Sequence, residues 1–216
     1  MNKVRRLLPA LVFILAGVGF TAAYFLMPAS GESQQPRANL NWQVPFVVET
    51  ASPTVATQAP DARTIRRLIL PSVGIDAPVV IGNVDDDGRM QAPSGPTEVA
   101  WYGFSAHPGA TGNVVMAAHV DYIDYGPAAF WRLRDVKAGD EVTVTLDDGA
   151  SFVYRIVSSI YYDAEDAPVA EIVGPTPNQT ITLITCGGVF DKSVREYDQR
   201  LVVRGVRVTS VSNPGL

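Results

Sequence analysis

Cys186 is the only cysteine among 216 residues, and its setting is what draws attention to it. It closes the run Thr180-Ile181-Thr182-Leu183-Ile184-Thr185, a β-branched, apolar stretch that reads as a buried strand. Gly187 and Gly188 follow at once, so the strand is expected to end at the thiol and the chain to turn away. A thiol at the tip of a rigid strand, with a loop beyond it, suits a nucleophile. A lone cysteine is also commonly a small buried hydrophobe, so its neighbours must decide. A thiol becomes a useful nucleophile when a base or a positive field favours the thiolate. There are two histidines. His107 sits in the turn sequence Ala106-His107-Pro108-Gly109 and reads as a surface residue. His119 follows the β-type run Asn113 to Ala118, so it too stands at a strand end. Two strand ends of one sheet can lie side by side even when 67 residues separate them in the chain. Acyl transfer further needs backbone N–H groups or a cation for the oxyanion. Arg200 opens the last strand, and Arg204 lies on the same face of it by alternation. Periodicity leaves both open, whereas Arg195 falls in a loop and Arg207 on the opposite face.

The elements that must hold these residues are short strands. Leu68 to Leu70, Ala77 to Ile81, Val99 to Tyr102, Asn113 to Ala118, Glu141 to Leu146, Ser151 to Tyr161, Thr180 to Cys186 and Arg200 to Thr209 are apolar or alternating. Pro71, Gly74, Pro78, Gly82 and Pro108-Gly109 punctuate them, and Asp147-Asp148-Gly149 marks a hairpin. Asp85-Asp86-Asp87-Gly88 reads as another turn. Short helices are expected only over Gly126 to Leu133 and Ala164 to Val173. About eight strands with little helix predict an all-β fold, a small closed barrel over residues 65–211 with a short tail, 212–216. Trp101, Tyr102 and Trp131 are read as core.

Leu7 to Met27 holds no charged residue. At about 1.5 Å per residue it makes roughly 31 Å of helix, enough to span a hydrocarbon core. Lys3, Arg5 and Arg6 precede it and orient the N-terminus to the cytoplasm. Residues 1–27 are therefore expected to be a retained transmembrane anchor rather than a cleaved signal, placing the domain outside the cell. Residues 28–64, rich in Pro, Ala, Ser, Thr and Gln, read as a stalk. Of the 17 Lys and Arg, three lie in the first six residues; the other 14 face 22 Asp and Glu, a net charge of −8 for the rest. Such an acidic domain excludes nucleic acid as partner. One cysteine excludes an internal disulfide, and the scattered His and Cys have no metal-site spacing, so no cofactor is expected.

Thr182-Leu183-Ile184-Thr185-Cys186 resembles the TLxTC signature of sortases, the cysteine transpeptidases of Gram-positive cell surfaces. Four further segments are similar in the same order. They are Ile69 to Val79, Gly112 to Val120 around the histidine, Phe130-Trp131-Arg132-Leu133 with Lys137 to Val142, and Arg200 where the family has its arginine. The resemblance spans about Arg66 to Val208 and implies an eight-stranded sortase barrel. It also implies roles: Cys186 attacks the Thr–Gly carbonyl of an LPxTG-like sorting signal on a surface protein, and His119 moves the proton. Arg200 holds the oxyanion, with Thr185 and Ala118 beside the substrate. The acceptor implied is an amine of a peptidoglycan precursor, or a pilin lysine in a pilin-polymerising relative. Thr185-Cys186-Gly187-Gly188 with Phe190-Asp191 and the short N-terminal region are most like class F, with class E next. Some sortases bind calcium, but Asp121, Asp124, Asp163, Glu165, Asp166 and Glu171 read as solvated loop charge without ligand spacing. Ala118 replaces the glycine that many relatives carry before the histidine. A catalytically silent binding barrel is the contrasting reading. The L,D-transpeptidase pattern, with histidine and glycine just upstream of the thiol, is missing.

Overall fold

Glu141–Leu146 alternates polar with apolar residues, and as a strand it buries Val142, Val144 and Leu146 on one face. The same rule builds most of the molecule. The computed structural model describes residues 63–208 and, as backbone only, residues 39–43. The stretches read as anchor and C-terminal tail, and most of the stalk, lie outside these residues. In chain order the strands are β1 (Asn39–Gln43), β2 (Ile65–Leu70), β3 (Ile75–Gly82), β4 (Arg89–Gln91), β5 (Val99–Tyr102) and β6 (Gly112–Ala117). There follow β7 (Asp121–Tyr122), β8 (Gly126–Pro127), β9 (Glu141–Leu146), β10 (Ser151–Asp163), β11 (Gln179–Asp191) and β12 (Glu196–Arg207). Among the described residues one α-helix occurs, α1 (Val169–Val173), with 3-10 turns at Pro71–Val73 and Trp131–Asp135.

Eight strands close a barrel in the order β10-β12-β11-β6-β5-β3-β2-β9. Most pairs are antiparallel, but β6 runs parallel to β11 and β3 to β5. Its interior is filled by alternate residues from every strand, among them Leu68, Ile75, Val99, Met116, Val144, Tyr154, Leu183 and Val203. The sheet β5-β6-β11-β12 is covered on its outer face too. Ala100, Tyr102, Val115, Ala117, Ile184 and Val202 pack there against Met90 and against Ile172 and Val173 of α1. Double coverage explains why all six residues of β6 are buried, and why its sequence is continuously apolar after Asn113. Asn113 ties the two layers: its Nδ2 donates to the Ile172 and Gly174 carbonyls, and its Oδ1 accepts from Thr182 Oγ1 at 2.8 Å.

Several expectations need correction. β11 does not end at Cys186. It passes through a bulge, in which one extra residue separates the pairs Gly187↔Gln199 and Phe190↔Tyr197, and continues to Asp191. Gly188 takes φ +78° there, and a Cβ on it would lie 2.0 Å from Asp198 Oδ1. β12 correspondingly begins at Glu196, before Arg200, and ends at Arg207. The helix expected from Gly126 is a small hairpin, β7–β8, followed by the 3-10 turn. Asp124 at φ 60° and Gly126 at φ 89° form its turn, and Pro127 has no N–H for a helix interior. The helix expected from Ala164 is only the five residues of α1. Trp131 is exposed rather than core, whereas Tyr102 is fully buried with its hydroxyl on the Gln91 carbonyl. Within the stretch read as stalk, β1 pairs antiparallel with β4. The Asp85–Gly88 turn forms as expected, with Asp85 accepting from the Asp87 and Arg89 amides.

Candidate active site

Strand register assembles the site. β11 and β6 pair in parallel from Gln179↔Gly112 to Ile184↔Ala117. The pairing continues past the end of β6: Ala118 N donates to Ile184 O, and Thr185 Oγ1 donates to Ala118 O at 2.8 Å. Two residues beyond the last pair, Cys186 comes level with His119. On its other side β11 is antiparallel to β12, and Cys186 stands directly opposite Arg200. Residues paired across a ladder share a face, so Cys186, Arg200 and His119 all belong to the outer face, with Ala117, Ile184 and Val202.

Each group has a defined environment. His119 is buried, with Tyr122 edge-on at 5.1 Å between ring centroids. Its Nε2 lies 2.8 Å from the Pro93 carbonyl. A carbonyl only accepts, so Nε2 carries the proton and Nδ1 is the nitrogen left for acid–base work. Burial pushes the imidazole below its ordinary pKa, opposed by the Pro93 hydrogen bond and the charge of Asp121. Cys186 is half-buried and unpaired. Burial pushes its thiol up; the Arg200 charge pulls it down, and Asp121 and Glu196 push it further up. Arg200 is fully buried, with Nη1 donating to the Tyr197 and Gln199 carbonyls. Its Nε is buried without a hydrogen-bond partner. A buried donor left unmade is costly, and here it sits beside the thiol.

Register also separates the residues that spacing left open. Arg204 faces the same way but lies opposite Thr182, and its Nη2 donates to the Glu171 and Ile172 carbonyls of α1. Arg207 stacks over Phe152 and Tyr154. His107 packs edge-on against Trp101, with Nε2 2.9 Å from the Arg63 carbonyl, near the start of β6. That is a strand length, about 20 Å, from His119. The Thr185 hydroxyl is occupied by Ala118 O, and the Ala118 methyl packs in the barrel core. The Ala118 amide and carbonyl are engaged as well, by Ile184 O and Thr185 Oγ1. Among the described residues no three His, Cys, Asp or Glu gather where they could hold a metal ion.

A cavity of about 500 Å³ opens beside Cys186, between the β11–β12 hairpin and the segment that follows His119. Of its walls, sequence reasoning named Thr185 and Cys186 and missed the segment after His119. Backbone bonds from Ala128 N to Val120 O and from Phe130 N to His119 O fold that segment back, bringing Trp131 and Arg134 to the cavity. Tyr197 donates to Asp121 Oδ2 at 2.5 Å across it. Asp121 was traceable, since it stands two residues after His119 and alternation keeps it on the same side.

A half-buried thiol, a buried histidine level with it and a buried arginine opposite it suit nucleophilic acyl transfer. The Sortase domain family profile matches residues 68–208 of the chain. The chain belongs to the sortase family. It is thus a sortase-type cysteine transpeptidase. Among solved structures it is similar to sortase A from Corynebacterium diphtheriae, a lid mutant, at 26% identity and TM-score 0.53, over 72% of this chain and 76% of that one. Sortase A of Listeria monocytogenes is 21% identical at TM-score 0.52, over 69% of this chain and 89% of that one. The complex of Streptococcus agalactiae sortase C1 with MTSET is 21% identical at TM-score 0.51, over 68% and 69%. These last two speak for the shared barrel. No curated protein matches the chain.

Proposed function

We propose that this transpeptidase cleaves an LPxTG-like sorting signal and joins the released acyl group to a cell-wall amine, with Cys186, His119 and Arg200 as its working residues. Cys186 Sγ, as thiolate, attacks the carbonyl carbon of the Thr–Gly bond. Arg200 Nε supplies a hydrogen bond to the resulting oxyanion. His119 protonates the leaving glycine nitrogen from Nδ1, the C–N bond breaks, and a thioester remains. An incoming amine then attacks that carbon and gives its proton to His119, and the C–S bond breaks with its electron pair returning to sulfur. One observation carries this reading: the register that sets Cys186 opposite Arg200 and that, extended two residues past Ile184↔Ala117, leads to His119. The class F type, the N-terminal membrane anchor and an extracellular domain belong to the same proposal, on the sequence features that suggested them.

The test uses the full chain, a quenched LPxTG peptide and a glycine amine acceptor, with intact-mass spectrometry and Cys186→Ala in parallel. A thioacyl adduct on the unaltered chain alone, followed by transpeptidated product, is expected. An adduct that persists in Cys186→Ala, or none with LPxTG and LAxTG peptides, overturns it.

A further inference from the structure

The cavity beside Cys186 has two charged walls, Asp121 and Arg134. Asp121 is already engaged by the Tyr197 hydroxyl. Arg134 is not matched in this way. Its guanidinium lies 4.0 Å over the Trp131 ring, and its Nε donates to the Trp131 carbonyl at 2.9 Å. Those two contacts fix the plane of the group and use one of its five donors. Among the described residues it has no carboxylate partner, while its neighbours Arg132 and Asp135 pair with each other. An arginine held by stacking, with both terminal nitrogens unspent at a cavity wall, is prepared to take a planar anion through two hydrogen bonds.

The chemistry of the site says which substrate brings that anion. Val120 and Asp121, which line the cavity, directly follow His119, and Cys186 lines it as well. The outer sheet face that carries Cys186 is apolar as it runs back from the thiol, built from Ala117, Ile184, Val202 and α1, whereas the cavity lies toward the β11–β12 hairpin. His119 must protonate the departing amine and deprotonate the arriving one. By microscopic reversibility both amines occupy one place within reach of His119, and the cavity is the space at the thiol that the residues directly after His119 border. A cavity of about 500 Å³ is large enough for a group of one or two amino-acid residues.

We propose that this cavity is the acceptor-amine site and that Arg134 selects acceptors carrying a carboxylate within a few bonds of the reacting amine. The proposal rests on the transpeptidase reading above. An amino-acid-type acceptor would bind its carboxylate at Arg134, with its amine toward the Cys186 thioester. A neutral or purely cationic amine would leave Arg134 unmatched.

The experiment compares glycylglycine with glycylglycinamide, which differ in the carboxylate and little in the amine. With the full chain and a quenched LPxTG peptide, the half-saturating acceptor concentration should be about tenfold lower for glycylglycine, the weight of one charge-assisted contact. Arg134→Gln should erase that preference, bringing the two acceptors to one half-saturating concentration. A preference that survives Arg134→Gln, or is absent from the unaltered chain, overturns the assignment. With a sorting peptide amidated at its C-terminus, whose departing part brings no carboxylate, slower thioacyl formation in Arg134→Gln would mean that Arg134 serves the sorting signal, and overturns it equally. The site is also read without chemistry, by titrating tryptophan fluorescence in full-chain Cys186→Ala, with Trp131→Phe separating the Trp131 signal from those of Trp42 and Trp101. Glycylglycine should change the signal, glycylglycinamide should not, and Arg134→Gln should abolish the response. If that pattern holds while no thioacyl adduct ever forms, the transpeptidase reading fails and the carboxylate site stands.

Discussion

At the scale of single residues, Cys186 and His119 are each displaced from the state in which they work. Burial raises the thiol and lowers the imidazole, so the neutral pair predominates and the thiolate–imidazolium pair is a minority. The sign of the pH dependence follows. On the acid side, activity is lost as the thiolate–imidazolium pair takes up a proton. On the alkaline side it is lost when the pair gives one up. The profile of kcat/KM should therefore be a broad bell, its acid limb below the ordinary imidazole value and its alkaline limb above the ordinary thiol value. A narrow optimum between those two values would contradict the environments described. Asp121 raises both groups. Asp121→Asn should accordingly move both limbs to lower pH, with little change in height because the two effects offset each other. Arg200 acts on the thiol alone of the two. Arg200→Met should lift the alkaline limb and lower the acylation rate by about 10²-fold, the usual weight of one oxyanion donor. Arg200→Lys, which keeps the charge but loses the planar donor, should hold the limb in place and recover only part of the rate. Equal limbs in the two variants would show that charge is not what Arg200 contributes.

At the scale of elements, the bulge in β11 sets where the hairpin stands over the thiol. Gly188 holds a left-handed conformation against Asp198, and Val189 N donates to that same carboxylate at 2.6 Å. Gly188→Ala combines a strained φ with a clash, so it should cost about 1–3 kcal/mol in denaturant unfolding. It should also slow acylation by shifting Gly187 and Gln199 at the cavity wall. An unchanged midpoint would mean that the hairpin relaxes freely. The two glycines were conspicuous in the sequence, yet they read as a strand end, because a glycine pair signals a turn and a bulge alike. The eight barrel strands were legible, since alternation and β-branched runs are local. The thiol and the histidine were legible as strand-end residues for the same reason. The choice between Arg200 and Arg204 was not, because both lie on one face and only the ladder register tells them apart. The Pro93 carbonyl was invisible for a different reason: it is a backbone group, and residue type carries no sign of it. Trp131 was misread because an aromatic in a short apolar segment gives no hint that the segment folds back on His119.

At the scale of the whole molecule, the N-terminal stretch reaches the histidine through one short strand. β1 pairs with β4, and the Met90 side chain of β4 is fully buried against the outer sheet face. Two residues past β4 stands Pro93, whose carbonyl holds His119 Nε2. β4 has three residues, held on its inner side by the bridge Val84↔Met90, the Asp85 turn, the Gln91 amide on the Asn83 carbonyl and the Tyr102 hydroxyl on the Gln91 carbonyl. A strand that short is not stable alone, so β1 should contribute to its protection. Removing residues 1–44 should speed hydrogen exchange at Met90, whose N–H alternates to the β1 side. The Arg89 and Gln91 amides donate to Asp85 Oδ1 and the Asn83 carbonyl instead, and β6 and β11 should stay protected. The same truncation should weaken the bond that fixes the His119 tautomer, seen as a shift of its Nε2–H resonance and a drop in kcat with little change in KM. If exchange at β4 rises but the resonance and kcat stay put, the inner contacts of β4 hold the Pro93 loop without β1. The N-terminal region would then be uncoupled from catalysis.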